Sequence, residues 1–444
     1  MTEESLPTGG RSREEIAKVE IGVTTISRPT AYLLLIAFLL LVFTVPAIEL
    51  VGSGARAGAP TTWSHLTGIP PAIRERLAEA NAAPGSTLWR RTLAVNRAVL
   101  SGLQDFEQGL ERESRLGQTL RPHAQLILTR WLGAGNERVY PGQPGWVFFR
   151  QDVEYVTGPG FLEPAQRKRR IASAPEWTAP PQPDPRPALL QFKRDLDARG
   201  IALILVPTPV KPVIHPEMLA PRLAGAPVPI HNMSYGAFIT ELSHEGVLIF
   251  DPSSVLAAER LTTPQYLATD THWRPEAMEA VATELAAFVT ARVPLPPLPE
   301  PGYRLERLQL RYLGDTVRML DLPKTATLFP PDQIWPSRVL QPDGSPWQIS
   351  RASDVLVLGD SFSNVYSVES LVAGSESAGL IEHFSYALRR PVDRLVENGR
   401  AAFATREMLQ RDPARLGGKR LVVYQFAVRE LTIGDWKMIA LTPR

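Results

Sequence analysis

The chain has 444 residues, too many for one compact core and enough for an anchor plus one or two domains. Its 44% hydrophobic and 21% charged content excludes a fully disordered protein, and 48 basic against 46 acidic residues, net +2, give no electrostatic case for nucleic acid. The absence of cysteine excludes disulfides, Cys-ligated zinc, iron–sulfur clusters and a thiol nucleophile without fixing the compartment, and 42 prolines announce long irregular connections.

Residues 29–48 carry no charge, and at about 1.5 Å per residue such a stretch spans a hydrocarbon core. Arg11, Arg13, Lys18 and Arg28 precede it, which places the N-terminus in the cytoplasm and the remainder outside. A cleaved signal peptide is the rival, but its apolar region is usually shorter and Ala55–Arg56–Ala57 is a poor cleavage site. A buried core helix does not suit the lack of a polar face. No second span is visible, so the chain is not a channel or transporter by itself.

Residues 51–60 read as a flexible exit. Residues 88–110 read as a helix with Val99, Leu103, Phe106 and Leu110 on one face, and 126–132 as a second short helix. A Pro-Gly turn at 141–145 leads into a short strand, Trp146–Val147–Phe148–Phe149. The basic run Arg167–Lys168–Arg169–Arg170 is either a solvated face or a contact for an anionic polymer or lipid headgroup. Residues 176–187 form a proline-stiffened connector.

Helix and strand then alternate. Helices are expected at 189–200, 230–245, 275–291, 378–388 and 404–410, and apolar strands at 201–206, 247–250, 355–358 and 420–425. This predicts an α/β fold, a parallel sheet with helices on both faces. An excursion from 293 to about 349 shows no pattern of its own. The implied organisation is a cytoplasmic N-terminus at 1–28, an anchor at 29–48, an exit linker and helical preface at 49–140, and the main domain at 141–444.

Two motifs carry chemistry. Gly359–Asp360–Ser361 follows an apolar strand, so Ser361 is presented at a strand tip where α/β sheets gather ligands, and its N–H can help hold an oxyanion. Asp270–Thr271–His272–Trp273 lies just ahead of the 275–291 helix. His272 can serve as base to a Ser361 nucleophile, with Asp270 fixing its tautomer. The bland alternatives are a strand-to-loop turn with a capping serine, and a helix cap beside a surface histidine. A metal site is the third, but no other histidine stands in ligand spacing with His272.

The pair of motifs resembles the SGNH hydrolase superfamily, and the order Asp-x-His before Gly-Asp-Ser is similar to its periplasmic alginate O-acetyltransferase branch. Gly145–Trp146–Val147–Phe148, Pro209–Val210–Lys211–Pro212 with His215–Pro216–Glu217, Gly314–Asp315 with Met319–Leu320, and the closing Phe426–Leu431 and Gly434–Trp436 stretches share the likeness. The resemblance implies an SGNH hydrolase-like domain with Ser361 as nucleophile, His272 as base and Asp270 as orienting acid. The superfamily's Gly-x-Asn-Asp block is not apparent, which leaves Ser361 N–H and Asn364 as oxyanion candidates. Trp273 is a pocket wall or a hydrophobic anchor, and Arg406 and Arg429 are either binders of substrate carboxylates or structural ion-pair partners. The same resemblance implies acetyl transfer, through a serine ester and without a cofactor, to hydroxyls of an exopolysaccharide in the periplasm. It also implies a membrane-bound O-acyltransferase as partner and acetyl donor. An acetyl-esterase using the same triad and a non-catalytic polysaccharide-binding or assembly subunit are the alternatives.

Overall fold

The computed structural model describes residues 27–53, 62–82, 87–113, 115–175, 178–400 and 402–441. Arg11, Arg13, Lys18, most of the 51–60 exit and Glu176 lie outside them. The chain divides into two compact units, Met1–Arg121 and Pro122–Arg444.

The first unit is helical. Helix Arg28–Ser53 covers the uncharged stretch, and its side chains Tyr32, Leu33, Leu34, Leu35, Ile36 and Phe38 are exposed. Among the described residues no helix is long and apolar enough to cross a membrane. Helices Thr62–Ala82 and Leu88–Glu113 pack on each other. The 88–110 helix is therefore present, and of its expected face Val99 and Phe106 are half-buried while the most buried positions are small residues beside it. Ala98 and Gly109 are buried, Gly102 and Phe106 half-buried, and Leu103 exposed. Small residues let the two backbones approach, and a Cβ at Gly102 would collide with Ile69. The expected short helix at 126–132 is the end of a longer one, Arg115–Leu132, with Pro122 inside it.

Among the described residues the second unit holds eleven strands: β1 Val139–Pro141, β2 Val147–Phe149, β3 Ala202–Thr208, β4 Leu248–Ile249, β5 Arg304–Arg307, β6 Leu310–Tyr312, β7 Asp332–Ile334, β8 Ser337–Leu340, β9 Val355–Gly359, β10 Asp393–Val396 and β11 Leu421–Ala427. Five of them form a parallel sheet in the order β10-β9-β11-β3-β4. All seven residues of the central β11 are buried, so both faces are covered by other elements. Helices Pro185–Asp197, Tyr235–His244, Pro275–Arg292, Leu380–Ala387 and Ala404–Arg411 occupy the expected stretches to within a few residues, the start of Tyr235–His244 excepted. Asp184 caps the first of these by accepting the Arg186 N–H, which ends the proline connector.

The expected aromatic strand is present as β2, which pairs with β1 in a separate ribbon. Two features add to the expectation. The basic run lies on helix Pro164–Ala172, where Arg167 donates to Asp184 at 2.6 Å and Arg170 to the carbonyls of Ile433 and Gly434. Two of its four charges are thus engaged within the chain. The excursion after residue 293 contains two antiparallel ribbons, β5–β8 and β6–β7, and helix Asp315–Met319.

The edge strand β10 is tied to the sheet by buried charge. Asp393, with no exposed side-chain surface, accepts from Arg415 Nε at 3.0 Å and Nη2 at 2.6 Å, and lies 3.1 Å from the equally buried Lys419 Nζ. Removing the carboxylate leaves two cations without their counter-charge. Asp393→Ala is expected to lower stability by about 3–5 kcal/mol, read from the shift of the urea midpoint; a loss under about 1 kcal/mol would contradict this account.

Candidate active site

The site forms at the carboxyl end of the sheet, between β9 and a bend ahead of helix Pro275–Arg292. β9 ends at Gly359, and Ser361 opens the short helix Ser361–Asn364. A Cβ at Gly359 would lie 2.5 Å from Ser363 Oγ, so the glycine is required by close approach. Asp360 clamps the turn. Its Oδ1 accepts the Phe362 N–H and Gln425 Nε2, both at 2.9 Å, and its Oδ2 accepts the Ala427 N–H at 2.7 Å. Gln425 also accepts from the Asp360 N–H and Ser363 Oγ and donates to Thr208 Oγ1. One buried amide thus joins the tips of β9, β11 and β3. The serine is the motif's visible residue, but the aspartate before it fixes where the serine points.

The second segment meets the first directly. His272 Nε2 lies 2.8 Å from Ser361 Oγ, and His272 Nδ1 lies 2.6 Å from Asp270 Oδ1. Since an ionised carboxylate only accepts, Nδ1 carries the proton and Nε2 accepts the serine O–H. Asp270 Oδ1 also takes the His272 backbone N–H at 2.9 Å, and its Oδ2 takes the Tyr312 O–H at 2.8 Å and the Asp315 N–H at 2.7 Å. Burial would push the Asp270 carboxyl up. The His272 charge and these donors outweigh it and hold the group well below the usual carboxylate range. For His272 burial disfavours the charged form, but Asp270 and then Asp315 favour it, and the balance raises the imidazole above its ordinary 6.5.

The excursion supplies the walls that the sequence did not disclose. Asp315 accepts the Thr271 N–H at 2.8 Å and its hydroxyl at 2.8–2.9 Å, and burial together with the neighbouring Asp270 pushes its carboxyl up to about 6. Asp332 binds the Thr269 N–H at 3.0 Å and its hydroxyl at 2.6 Å. Gly314–Asp315 was among the stretches that carried the family likeness, while Asp332 left no sequence signal. Asp270, His272 and Asp315 each offer a ligand atom within 4.8 Å of the others, close enough for a cation. Each residue already has hydrogen-bond partners in the network above, so the donor set is spent on positioning the imidazole.

The remaining sequence candidates separate. The Ser361 N–H has no hydrogen-bond partner among the described residues and stands at the first position of its helix, where backbone N–H groups have no intrahelical acceptor and can donate to an oxyanion. Asn364 is half-buried, with only a long 3.5 Å contact to Asn398. Trp273 is wholly buried and packs edge-on against Phe362, 5.3 Å between centroids, which makes it an anchor of the bend rather than a pocket wall. Arg406 is wholly buried and donates to the carbonyls of Ala402 and Lys437, so it ties chain segments together and does not reach the site. Arg429 reaches it. The guanidinium pairs with Asp152 at 2.9 Å and lies 5.5 Å from the Phe362 ring centroid. Asp152 is a residue that sequence reasoning missed.

Residues 139–428 match the family model described as SGNH hydrolase-like domain, acetyltransferase AlgX. The chain is 26% identical over 247 residues to a probable alginate O-acetylase AlgJ of Pseudomonas syringae, covering 55% of this chain and 61% of that protein. It is 28% identical over 255 residues to the protein of that name in Azotobacter vinelandii, covering 55% and 62%. The chain thus spans about three fifths of the length of these relatives. Among solved structures, the O-acetyltransferase domain of Pseudomonas putida AlgJ aligns with a TM-score of 0.52 at 21% identity, over 67% of this chain and 93% of that one, a likeness of fold. With the family model covering well over half of its length, this chain belongs to the AlgX-type family of SGNH hydrolase-like domains.

Proposed function

We propose that this chain is an O-acetyltransferase that carries acetyl as an ester on Ser361 and passes it to hydroxyls of an alginate-like exopolysaccharide. The observation that carries the reading is the continuous line Asp270–His272–Ser361, with contacts of 2.6 and 2.8 Å. The names of the relatives, alginate O-acetylases, support the choice of acyl group and acceptor.

The chemistry follows from the atoms. Ser361 Oγ attacks the acetyl carbonyl of the donor while His272 Nε2 takes its proton. The negative oxygen that develops faces the Ser361 N–H. When the tetrahedral intermediate collapses, the donor's leaving group departs with the proton from His272. A sugar hydroxyl then attacks the acetyl-serine, His272 takes that proton, and Ser361 recovers it as the sugar ester leaves. Asp270 stays ionised throughout and balances the imidazolium. Transfer outruns hydrolysis when the sugar hydroxyl is held in place of water.

The proposal extends to location. Arg28–Ser53 would tether the chain to the cytoplasmic membrane with the second unit in the periplasm, supported by the uncharged stretch 29–48, the basic residues ahead of it and the exposed apolar side chains. A membrane-bound O-acyltransferase partner, as the family resemblance implies, would supply acetyl from the cytoplasmic side. The tether is tested by washing membranes with alkaline carbonate: the full chain is expected to stay in the pellet until detergent is added, and release by carbonate alone would refute it.

The mechanism is tested with the full chain and an activated acetyl ester. Mass spectrometry is expected to find one acetyl on Ser361, absent from Ser361→Ala, and His272→Ala is expected to slow its formation on the order of a thousandfold or more. Acetyl on another residue, or an unchanged rate in His272→Ala, would defeat the reading. Addition of an alginate oligosaccharide is expected to give acetylated sugar; acetate alone as product would make the chain an esterase, and no acetyl-serine at all would leave a binding subunit. The base must be neutral, so kcat/KM is expected to fall as pH drops through a midpoint above 6.5. Asp270→Asn removes the charge that raises the imidazole, and this acid limb is expected to move to lower pH while the maximal rate falls. A limb that does not move would show that His272 is not the titrating group.

A further inference from the structure

We infer that Asp152 and Arg429 form an anion subsite beside the nucleophile, in which Asp152 holds the guanidinium by one edge and the other edge takes the carboxylate of a uronate unit of the acceptor. The inference deepens the transfer reading above and takes from it that the ligand is a sugar polymer.

Position comes first. Arg429 stands just beyond the end of β11, and its guanidinium carbon lies 5.4 Å from the Phe149 ring centroid and 5.5 Å from that of Phe362. Phe362 directly follows Ser361, and its ring lies 4.8 Å from the His272 ring. One aromatic ring therefore separates the cation from the base. The two rings present their faces to the cation, which fixes its position without using any of its hydrogen-bond donors.

The use of those edges is unequal. Arg429 Nη1 donates to Asp152 Oδ1 at 2.9 Å, while Nε and Nη2 have no partner among the described residues. Asp152 has no exposed side-chain surface, yet its Oδ2 is without a partner. The contrast with Asp393 is direct, because there Arg415 places two nitrogens on the two carboxylate oxygens at 3.0 and 2.6 Å. A pair that serves only the fold gains most from the two-pronged contact. The Asp152 contact is single, and the Arg429 side chain keeps 12% of its surface exposed. Asp152 thus orients the guanidinium without saturating it.

Charge gives the arrangement a purpose. An acceptor approaching Ser361 comes toward the buried, ionised carboxylate of Asp270, which repels a polyanion at short range. A fixed cation one ring from the imidazole offsets that repulsion, and its planar fork matches a carboxylate in two parallel hydrogen bonds. The charge is secure: burial disfavours the Arg429 cation, but Asp152 and Asp360 more than compensate.

The test is a binding measurement, so it does not depend on turnover. In the full chain carrying Ser361→Ala, titration calorimetry compares an alginate oligosaccharide with the same oligosaccharide after reduction of its carboxyls to alcohols. The uronate form is expected to bind about tenfold to hundredfold more tightly, Arg429→Gln to erase the difference, and Arg429→Lys to keep part of it. Because Arg429→Gln strands the buried Asp152, the double variant Asp152→Asn/Arg429→Gln, which removes both charges at nearly constant shape, is measured beside it and is expected to be equally indifferent to the carboxyls. Equal affinity for the two sugars, binding of neither, or a preference that survives in both variants would overturn the subsite. Failure of acetyl capture on Ser361 with this preference intact would instead count against the transfer mechanism alone.

Discussion

One carboxylate, Asp270, has no contact with water and stays ionised, and the rest of the site is arranged around that fact. Burying an isolated charge costs several kcal/mol, so the fold must return the hydrogen bonds that water would have given. Asp270 receives four: two from His272, one from the Tyr312 hydroxyl and one from the Asp315 backbone. The bend at 270–272 provides only the first two. The others come from the excursion between the helix Pro275–Arg292 and β9, whose ribbons lie outside the main sheet. That excursion is therefore part of the chemistry, since it supplies two of the four hydrogen bonds to the carboxylate that orients the imidazole and keeps water from it.

A second constraint follows from the first. Asp315 lends its N–H to Asp270 while its own side chain binds Thr271, which sets two buried carboxylates on either side of one backbone turn. Like charges so placed do not both ionise easily, and the pair divides: Asp270, nearer the imidazole, is held low, and Asp315 is pushed up to about 6. The division leaves a single firm negative charge behind His272, which is what a base that must accept and return a proton needs.

How much of this the sequence disclosed depends on how each element is buried. β3, β9 and β11 are covered on both faces, so they read as unbroken apolar runs and were placed almost to the residue. β10 went unread because Asp393-Arg394-Leu395-Val396 buries a charged residue where an apolar one is expected, and only Arg415 and Lys419, some twenty residues on, reveal why. In the first unit the 88–110 helix was read and its partner Thr62–Ala82 was not, and the most buried positions of the seam, Ala98 and Gly109, were passed over because a search for large apolar side chains does not see small ones. The Asp-x-His and Gly-Asp-Ser motifs were legible as chemistry. Asp360 and Gln425 were not, since their work is to cross-link three strand tips that only the folded sheet brings together.

Arg406 and Arg429 show most clearly where residue type stops being informative. Both were candidates for binding a carboxylate, both are largely withdrawn from water, and both sit in the last quarter of the chain. The difference lies in what their donors already do. Arg406 is wholly buried and gives both terminal nitrogens to backbone carbonyls, acceptors that cannot be displaced without opening the fold, and its Nε, though without a partner among the described residues, is sealed from any ligand. Arg429 is held by one oxygen of one carboxylate and lies over two ring faces, contacts that fix a position and, among the described residues, leave hydrogen-bonding capacity unused. An ionised group kept close to a reacting centre with donors to spare is costly for stability alone, and that cost is recovered only when something anionic arrives.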